Sequence, residues 1–265
     1  MAGPNRVRCA RRVEARWWLV SVPVRVVVLL VAFAVVVVGS VFIVTHFLLG
    51  GPPTVDYTGA AHNGVVNVVL QEDPQNNSAS KPIWVSYYVM KPGANPNSQS
   101  SWVHTTLFSV PPNTRVNITI RGYDGCTPLR NNFFSQVQGT LGNVVALQQF
   151  QDTGKAVGPV KVTSIVNSWS GCNVGHTFAI PSLGVFVPVA SPNAYNNGNK
   201  AGLCGSSPCV SGPFSLESFS FMTPDHTGEF RWQCFVPCGG GYVDGNGGPM
   251  QTIGYMTGQM NVVSS

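Results

Sequence analysis

The sequence predicts an all-β fold, a sandwich of strands preceded by a single N-terminal transmembrane helix. Three observations carry that expectation. Residues 26–49 form an uninterrupted apolar run, only 9% of the 265 residues are charged while 29 Gly and 20 Pro supply turns, and short β-branched or aromatic segments recur from residue 65 onward. So few charges and so many turn formers disfavour a helical bundle, and a hydrophobic content of 44% is ample for a sizeable core.

The first segment, residues 1–25, is a basic head. It holds Arg6, Arg8, Arg11, Arg12, Arg16 and Arg25 against the single acid Glu14, which is six minus one and accounts for the whole net charge of +5. Beyond residue 50 the remaining nine basic and nine acidic side chains cancel, so the rest of the chain has no electrostatic footprint for nucleic acid. The apolar run VVVLLVAFAVVVVGSVFIVTHFLL then covers residues 26–49, long enough to span a bilayer with some tilt. A cleaved signal peptide is the competing reading, but its apolar region is normally about 7–15 residues with a small-residue cleavage site beyond it. Here the run is longer, and Gly50-Gly51-Pro52-Pro53 follows. Arginines before the span and none directly after it put the N-terminus in the cytoplasm and the C-terminal part outside the cell membrane.

Residues 50–64, rich in Gly, Pro and Thr, read as a linker, and residues 65–265 as the extracytoplasmic domain. Strands are expected at 65–71, 83–90, 105–110 and 115–121, the last alternating as VNITI. Further strands are expected at 160–166, 176–180, 184–189, 215–221, 229–235 and 258–263, separated by Pro, Gly and Asn clusters. Such spacing without a sustained helical period means a sandwich or barrel. Residues 193–213 read as one long surface loop.

Of seven cysteines, Cys9 lies on the cytoplasmic side, and the other six share a compartment where disulfides persist. Cys204 and Cys209, in the polar loop, read as a local disulfide, and Cys126 with Cys172 as a second bridge between strand ends. Two separated segments stand out. One is Gly175-His176-Thr177-Phe178-Ala179-Ile180-Pro181, a histidine opening a strand. The other is Phe230-Arg231-Trp232-Gln233-Cys234-Phe235-Val236-Pro237-Cys238, a thiol at a strand end and another four residues later. A Cys234–Cys238 disulfide is the alternative to a ligand role for the pair.

Together these segments resemble the cupredoxins, most closely the copper domain of cytochrome c oxidase subunit II, with its H-[ST]-F-x-[IV] strand and downstream C-x3-C-x3-H-x2-M loop. Phe108 to Ile120, containing VPPNTRVNITI, is similar to a strand pair of the same domains, so the resemblance covers about residues 100–265. An actinobacterial subset of single-pass members ends in a similar W-Q-C-x-x-P-C and G-Y-M pattern. The resemblance implies a Greek-key β-sandwich with His176, Cys234, Cys238 and Met256 as copper ligands. Departures accompany it: the second histidine of the pattern falls on Tyr242 or Ile253, the loop from Cys238 to Met256 is longer and carries Met250 as a second candidate thioether, and the chain has one apolar span where subunit II usually has two. His104 is a candidate to replace the missing imidazole, whereas His226 reads as a surface turn residue.

Thiolate, thioether and imidazole donors select copper over hard cations, although one histidine and two cysteines also suit zinc. The chain has no Ser/His/Asp spacing, phosphate-cradling glycine loop or carboxylate pair, so alone it does not read as an enzyme. The expected function is that of a membrane-anchored copper protein for electron transfer, with a respiratory oxidase or redox protein as partner. The alternative is a copper carrier or structural envelope protein with a degenerate, non-redox domain.

Overall fold

The computed structural model describes residues 21–45, 52–74, 84–125, 131–166, 174–192, 204, 207–236, 238 and 248–264. The chain divides into two compact units, residues 1–51 and 52–265.

In the first unit, α1 (Val22–Ile43) starts after Ser21 with a proline in its first turn, where a missing N–H costs no hydrogen bond. It begins four residues before the apolar run read from the sequence and takes in Arg25, while residues 46–49 of that run lie outside the described residues. Apart from Arg25 it is apolar all round, its most apolar 18-residue window has a mean hydropathy of 3.2, and none of its residues is buried. It is long and apolar enough to cross a membrane.

The second unit is a two-sheet sandwich. In chain order its strands are β1 (Thr54–Asp56), β2 (Val65–Asp73), β3 (Ser86–Met90), β4 (Trp102–Val103), β5 (Leu107–Val110), β6 (Arg115–Gly122) and β7 (Val145–Phe150). There follow β8 (Ala156–Thr163), β9 (Val174–Ile180), β10 (Val185–Ala190), β11 (Phe214–Met222), β12 (Gly228–Gln233) and β13 (Thr257–Val262). One sheet has the order β1-β5-β13-β12-β9-β10, the other β4-β3-β2-β6-β11-β7-β8. The chain changes sheet between β1 and β2, β4 and β5, β5 and β6, β8 and β9, β10 and β11, and β11 and β12, so sequence neighbours face each other across the core.

Alternation along each strand explains which face is inward. On β6, Val116, Ile118 and Ile120 are fully buried, while Asn117 turns outward and its side-chain amide donates to Asn67 on β2. On β11, Phe219 and Phe221 point inward, and Phe219 meets Phe178 of β9 at a ring separation of 5.7 Å. Trp232 closes this end of the core. It packs tilted against Phe178 at 4.9 Å and edge-on against Tyr87 at 5.1 Å, and its indole N–H donates to the Thr106 carbonyl at 3.1 Å. Its cross-strand partner is Gly258, where any Cβ would collide with the Thr106 carbonyl and the indole, so only glycine lets the ring lie flat there.

Three strands lie where the sequence signalled none. The segment expected as a linker, residues 50–64, contains β1, which pairs in parallel with β5. β4 is two residues long, below the reach of any periodicity. β7 was hidden by its glutamines, although Val145, Leu147 and Gln149 alternate inward and Gln149 donates to the Ser191 carbonyl at 3.2 Å. The strand expected at 160–166 runs earlier, from Ala156. Cys204 and Cys209 form the expected disulfide, whereas Cys9, Cys126, Cys172 and residues 193–203 lie outside the described residues.

Candidate metal centre

Because β9 is an interior strand, all seven of its residues are buried. Period-two alternation places His176 on the same face as Phe178, toward the core. β12 ends at Gln233, and the chain turns to bring Cys234 beside β9. Three bonds fix that turn: the Cys234 N–H donates to the Met256 carbonyl at 2.9 Å, the Phe235 N–H to Thr177 Oγ1 at 2.7 Å, and the Thr177 N–H to Cys234 Sγ at 3.3 Å. The Val236 carbonyl then points back, 2.9 Å from Cys238 Sγ and 3.5 Å from Cys234 Sγ.

His176 Nδ1, Cys234 Sγ and Cys238 Sγ form a compact buried triangle. Nδ1 is 2.8 Å from Cys238 Sγ and 3.9 Å from Cys234 Sγ, and the two sulfurs are 3.2 Å apart and unbonded. Metal–sulfur bonds of about 2.3 Å and metal–nitrogen bonds of about 2.0 Å would set donors sharing one ion roughly 3.5–4.0 Å apart. The triangle therefore fits a small soft ion once two of its edges open by less than about 1 Å. The Val236 carbonyl sets an oxygen beside both sulfurs that could join the donor set.

Electrostatics within the triangle favour the ionised form of Cys234 and the protonated forms of Cys238 and His176. Burial opposes ionisation of Cys234, but hydrogen bonds from Cys238 and His176 and the imidazolium charge outweigh it and hold its pKa well below the usual thiol range. The hydrogen bond to Cys234, together with burial, pushes the Cys238 thiol up. Burial lowers the His176 pKa, yet Cys238 and Glu72, with the bond to Asp124, raise it well above the ordinary value on balance. The two shifts run in the direction of a Cys234 thiolate beside a protonated His176.

Met256 is fully buried in the same core cluster as both cysteines, and its carbonyl holds the Cys234 N–H. Met250 is half-buried and lines a cavity with Arg231, Gln233, Cys234, Phe235 and Gln251. Among the described residues the donor group contains one imidazole. His104 is elsewhere, its ring between Tyr88 at 5.0 Å and Tyr255 at 5.3 Å, with burial depressing its pKa. His226 is exposed beside Asp225 as expected, Ile253 is exposed, and Tyr242 lies outside the described residues.

Sequence reasoning missed two carboxylates. His176 Nε2, the outer ring nitrogen, lies 3.1 Å from Asp124 Oδ2 and 3.1 Å from Glu72 Oε1. A signal for Glu72 existed: Val66, Val68 and Leu70 alternate inward on β2, and the next step of two reaches Glu72. For Asp124, just past β6, there was none.

No protein-family model matches the chain, and no curated protein matches it. Among solved structures it is similar to rusticyanin from Thiobacillus ferrooxidans, at 15% identity, covering 81% of this chain and 84% of that one with a TM-score of 0.29. It is also similar to the metal-binding domain, with Cu(I), of the Streptococcus pneumoniae D39 Cu(I)-exporting P-type ATPase CopA, at 10% identity, covering 81% of this chain and 100% of that one with a TM-score of 0.28. Superpositions at these TM-scores define neither topology nor ligands, so any metal assignment rests on the donor triangle.

Proposed function

We propose that this chain is a single-pass membrane protein whose sandwich domain, of cupredoxin type, binds copper outside the cytoplasm and takes part in electron transfer, as the copper domain of cytochrome c oxidase subunit II does. The observation that carries this reading is the convergence of His176, Cys234 and Cys238, 58 and 62 residues apart in sequence, into one buried triangle. Two sulfurs and an imidazole nitrogen in a dry pocket select copper among abundant metals, with zinc the competitor that a donor list alone admits. When bound, copper supplies a one-electron redox centre.

The residues of the chain do the rest. Cys234 and Cys238 would hold the ion through sulfur and His176 through nitrogen, with Met256 or the Val236 carbonyl as a candidate further donor. The Thr177 N–H donates to Cys234 Sγ and tempers the electron density on that sulfur. Trp232, Phe178 and Tyr87 keep water away and hold the triangle's geometry nearly fixed between redox states. α1 serves as the anchor, and the arginines preceding it keep the N-terminus in the cytoplasm, so the partner is a membrane oxidase or another redox protein on the outer face.

A single imidazole also suits a carrier that holds Cu(I) without cycling it. Metal analysis with visible absorption and electron paramagnetic resonance on the full chain in detergent, loaded with copper after thiol reduction, separates the readings. Intense thiolate-to-copper bands with one or two coppers per chain are expected. A colourless Cu(I) form that resists oxidation would favour the carrier, and no bound copper with a Cys234–Cys238 disulfide would overturn both.

A further inference from the structure

Behind the donor triangle lies a feature that the proposed copper chemistry does not require. His176 is gripped on both ring nitrogens. Nδ1 faces the sulfurs, while Nε2 faces Asp124 Oδ2 and Glu72 Oε1, both at 3.1 Å. The two carboxylates have different parts. Asp124 Oδ2 is aligned for a hydrogen bond with Nε2, and Asp124 Oδ1 accepts the Gly125 N–H at 2.7 Å, which locks the carboxylate's rotamer. Glu72 is 1% exposed, and its Oε1 takes no hydrogen bond although it touches the imidazole. Its other oxygen, Oε2, accepts the backbone N–H of Asp124 at 3.1 Å. Glu72 thus ties the chain just past β6 to the end of β2 and presses Asp124 onto the ring. The approach is also built into β9. A Cβ on Gly175 would stand 2.7 Å from the Gly125 carbonyl and 3.1 Å from Ser191 Oγ, so a side chain there would push the Asp124–Gly125 segment off the histidine.

We infer that Asp124, strapped in place by Glu72 and admitted by Gly175, is the positioning residue of the centre: it takes the Nε2 proton of His176 in a hydrogen bond and so presents the Nδ1 lone pair to the metal. This rests on the copper reading for its purpose but not for its geometry. A ligating histidine commonly gives its second N–H to a carboxylate, which fixes the tautomer and raises ligand basicity, and loss of that partner costs about 10–100-fold in metal affinity. One N–H serves one acceptor, which is why Asp124 makes the hydrogen bond and Glu72 acts through Asp124.

The test uses the full chain in detergent with 15N-labelled histidine, in its reduced, metal-free form and with copper. Wild type should show a slowly exchanging Nε2 proton on His176. Asp124→Ala should abolish that proton signal and weaken copper binding 10–100-fold in competition with a chelator, and Asp124→Asn, which keeps an acceptor oxygen, should restore most of both. Gly175→Ala should reproduce the Asp124→Ala result with the carboxylate still present, while Asp225→Asn, at the exposed His226 pair, should change neither readout. A His176 Nε2 proton that exchanges equally fast in wild type and Asp124→Ala, or equal copper affinity in the two, overturns the inference and leaves the copper reading untouched. Loss of the proton signal in Asp124→Ala with no copper taken up by wild type would sink the copper reading and leave the positioning role standing.

Discussion

Cys204 and Cys209 are joined in a disulfide, whereas Cys234 and Cys238, one residue closer in sequence, keep their sulfurs 3.2 Å apart. Spacing does not separate the two pairs. Their neighbours do. The Cys204–Cys209 bridge sits on the outer side of the seven-stranded sheet against Tyr123 and Phe214, and the Cys209 N–H donates to Asp73 Oδ2 at 3.0 Å. No imidazole approaches it in any donor group among the described residues. Around Cys234 and Cys238, an imidazole nitrogen, a peptide N–H and a carbonyl all point at sulfur. The first pair restrains a loop, and the second stands as free thiols in the donor triangle. The lesson is that a cysteine pair is classified by the donors and acceptors aimed at it.

The largest effect that could break this contrast is a double substitution experiment. Cys234→Ser should remove the copper absorption entirely, because a buried hydroxyl is a poor soft-metal donor. Cys204→Ser with Cys209→Ser should leave the spectrum intact. Loss of colour in the second variant, or its survival in the first, would mean that the two roles are reversed or shared.

Next in size is the pH dependence of copper uptake. Metal ligands must be deprotonated, and in the metal-free protein the raised pKa values leave a proton on Cys238 and an extra one on His176, while Cys234 is already a thiolate. Binding therefore releases two protons, and apparent affinity should rise by about a hundredfold per pH unit. The window runs from the depressed Cys234 pKa upward to the raised His176 pKa. Affinity that falls or stays flat as pH rises, measured by competition with a pH-insensitive chelator, would show that copper does not displace the protons of this triangle and binds elsewhere. The disulfide pair has no thiol to titrate and should contribute nothing to this slope.

Stability gives a smaller and opposite contrast. Opening the Cys204–Cys209 bridge frees a closed loop of only about six residues, for which loop entropy predicts about 2 kcal/mol. Chemical denaturation of the Cys204→Ser, Cys209→Ser variant should report a loss of that order with an unchanged m-value. A loss of twice that size would mean the bridge also anchors Asp73, whose buried carboxylate accepts the Cys209 N–H.

How much of this was legible beforehand follows the same division between chain-local and chain-distant information. VNITI and the strand opening at His176 announced themselves by alternation, and the sandwich class followed from many such runs between turn formers. β1 and β4 did not, since strands of three and two residues carry no period and exist because β5 and β3 offer free edges. At the site, His176, Cys234 and Cys238 were legible because donor types sat in a suggestive order. Asp124 was not: it reaches the ring from 52 residues away, brought by the packing of β6 beside β2 and by a glycine at position 175.

The smallest expected effect concerns the two methionines, which sequence order could not rank. Met256 is fully buried in the cluster that holds both cysteines, and its carbonyl anchors Cys234, whereas Met250 lies half-buried at the cavity edge. Met256→Leu keeps volume and backbone, so copper should stay bound while the reduction potential and the charge-transfer band shift, as expected when a long thioether contact is replaced by hydrocarbon. Met250→Leu should shift neither. The opposite result would make Met250, at the cavity edge, the thioether donor in place of Met256. If neither variant shifts the spectrum, neither thioether holds the ion, and the Val236 carbonyl, 2.9 Å from Cys238 Sγ, is left as the candidate further donor.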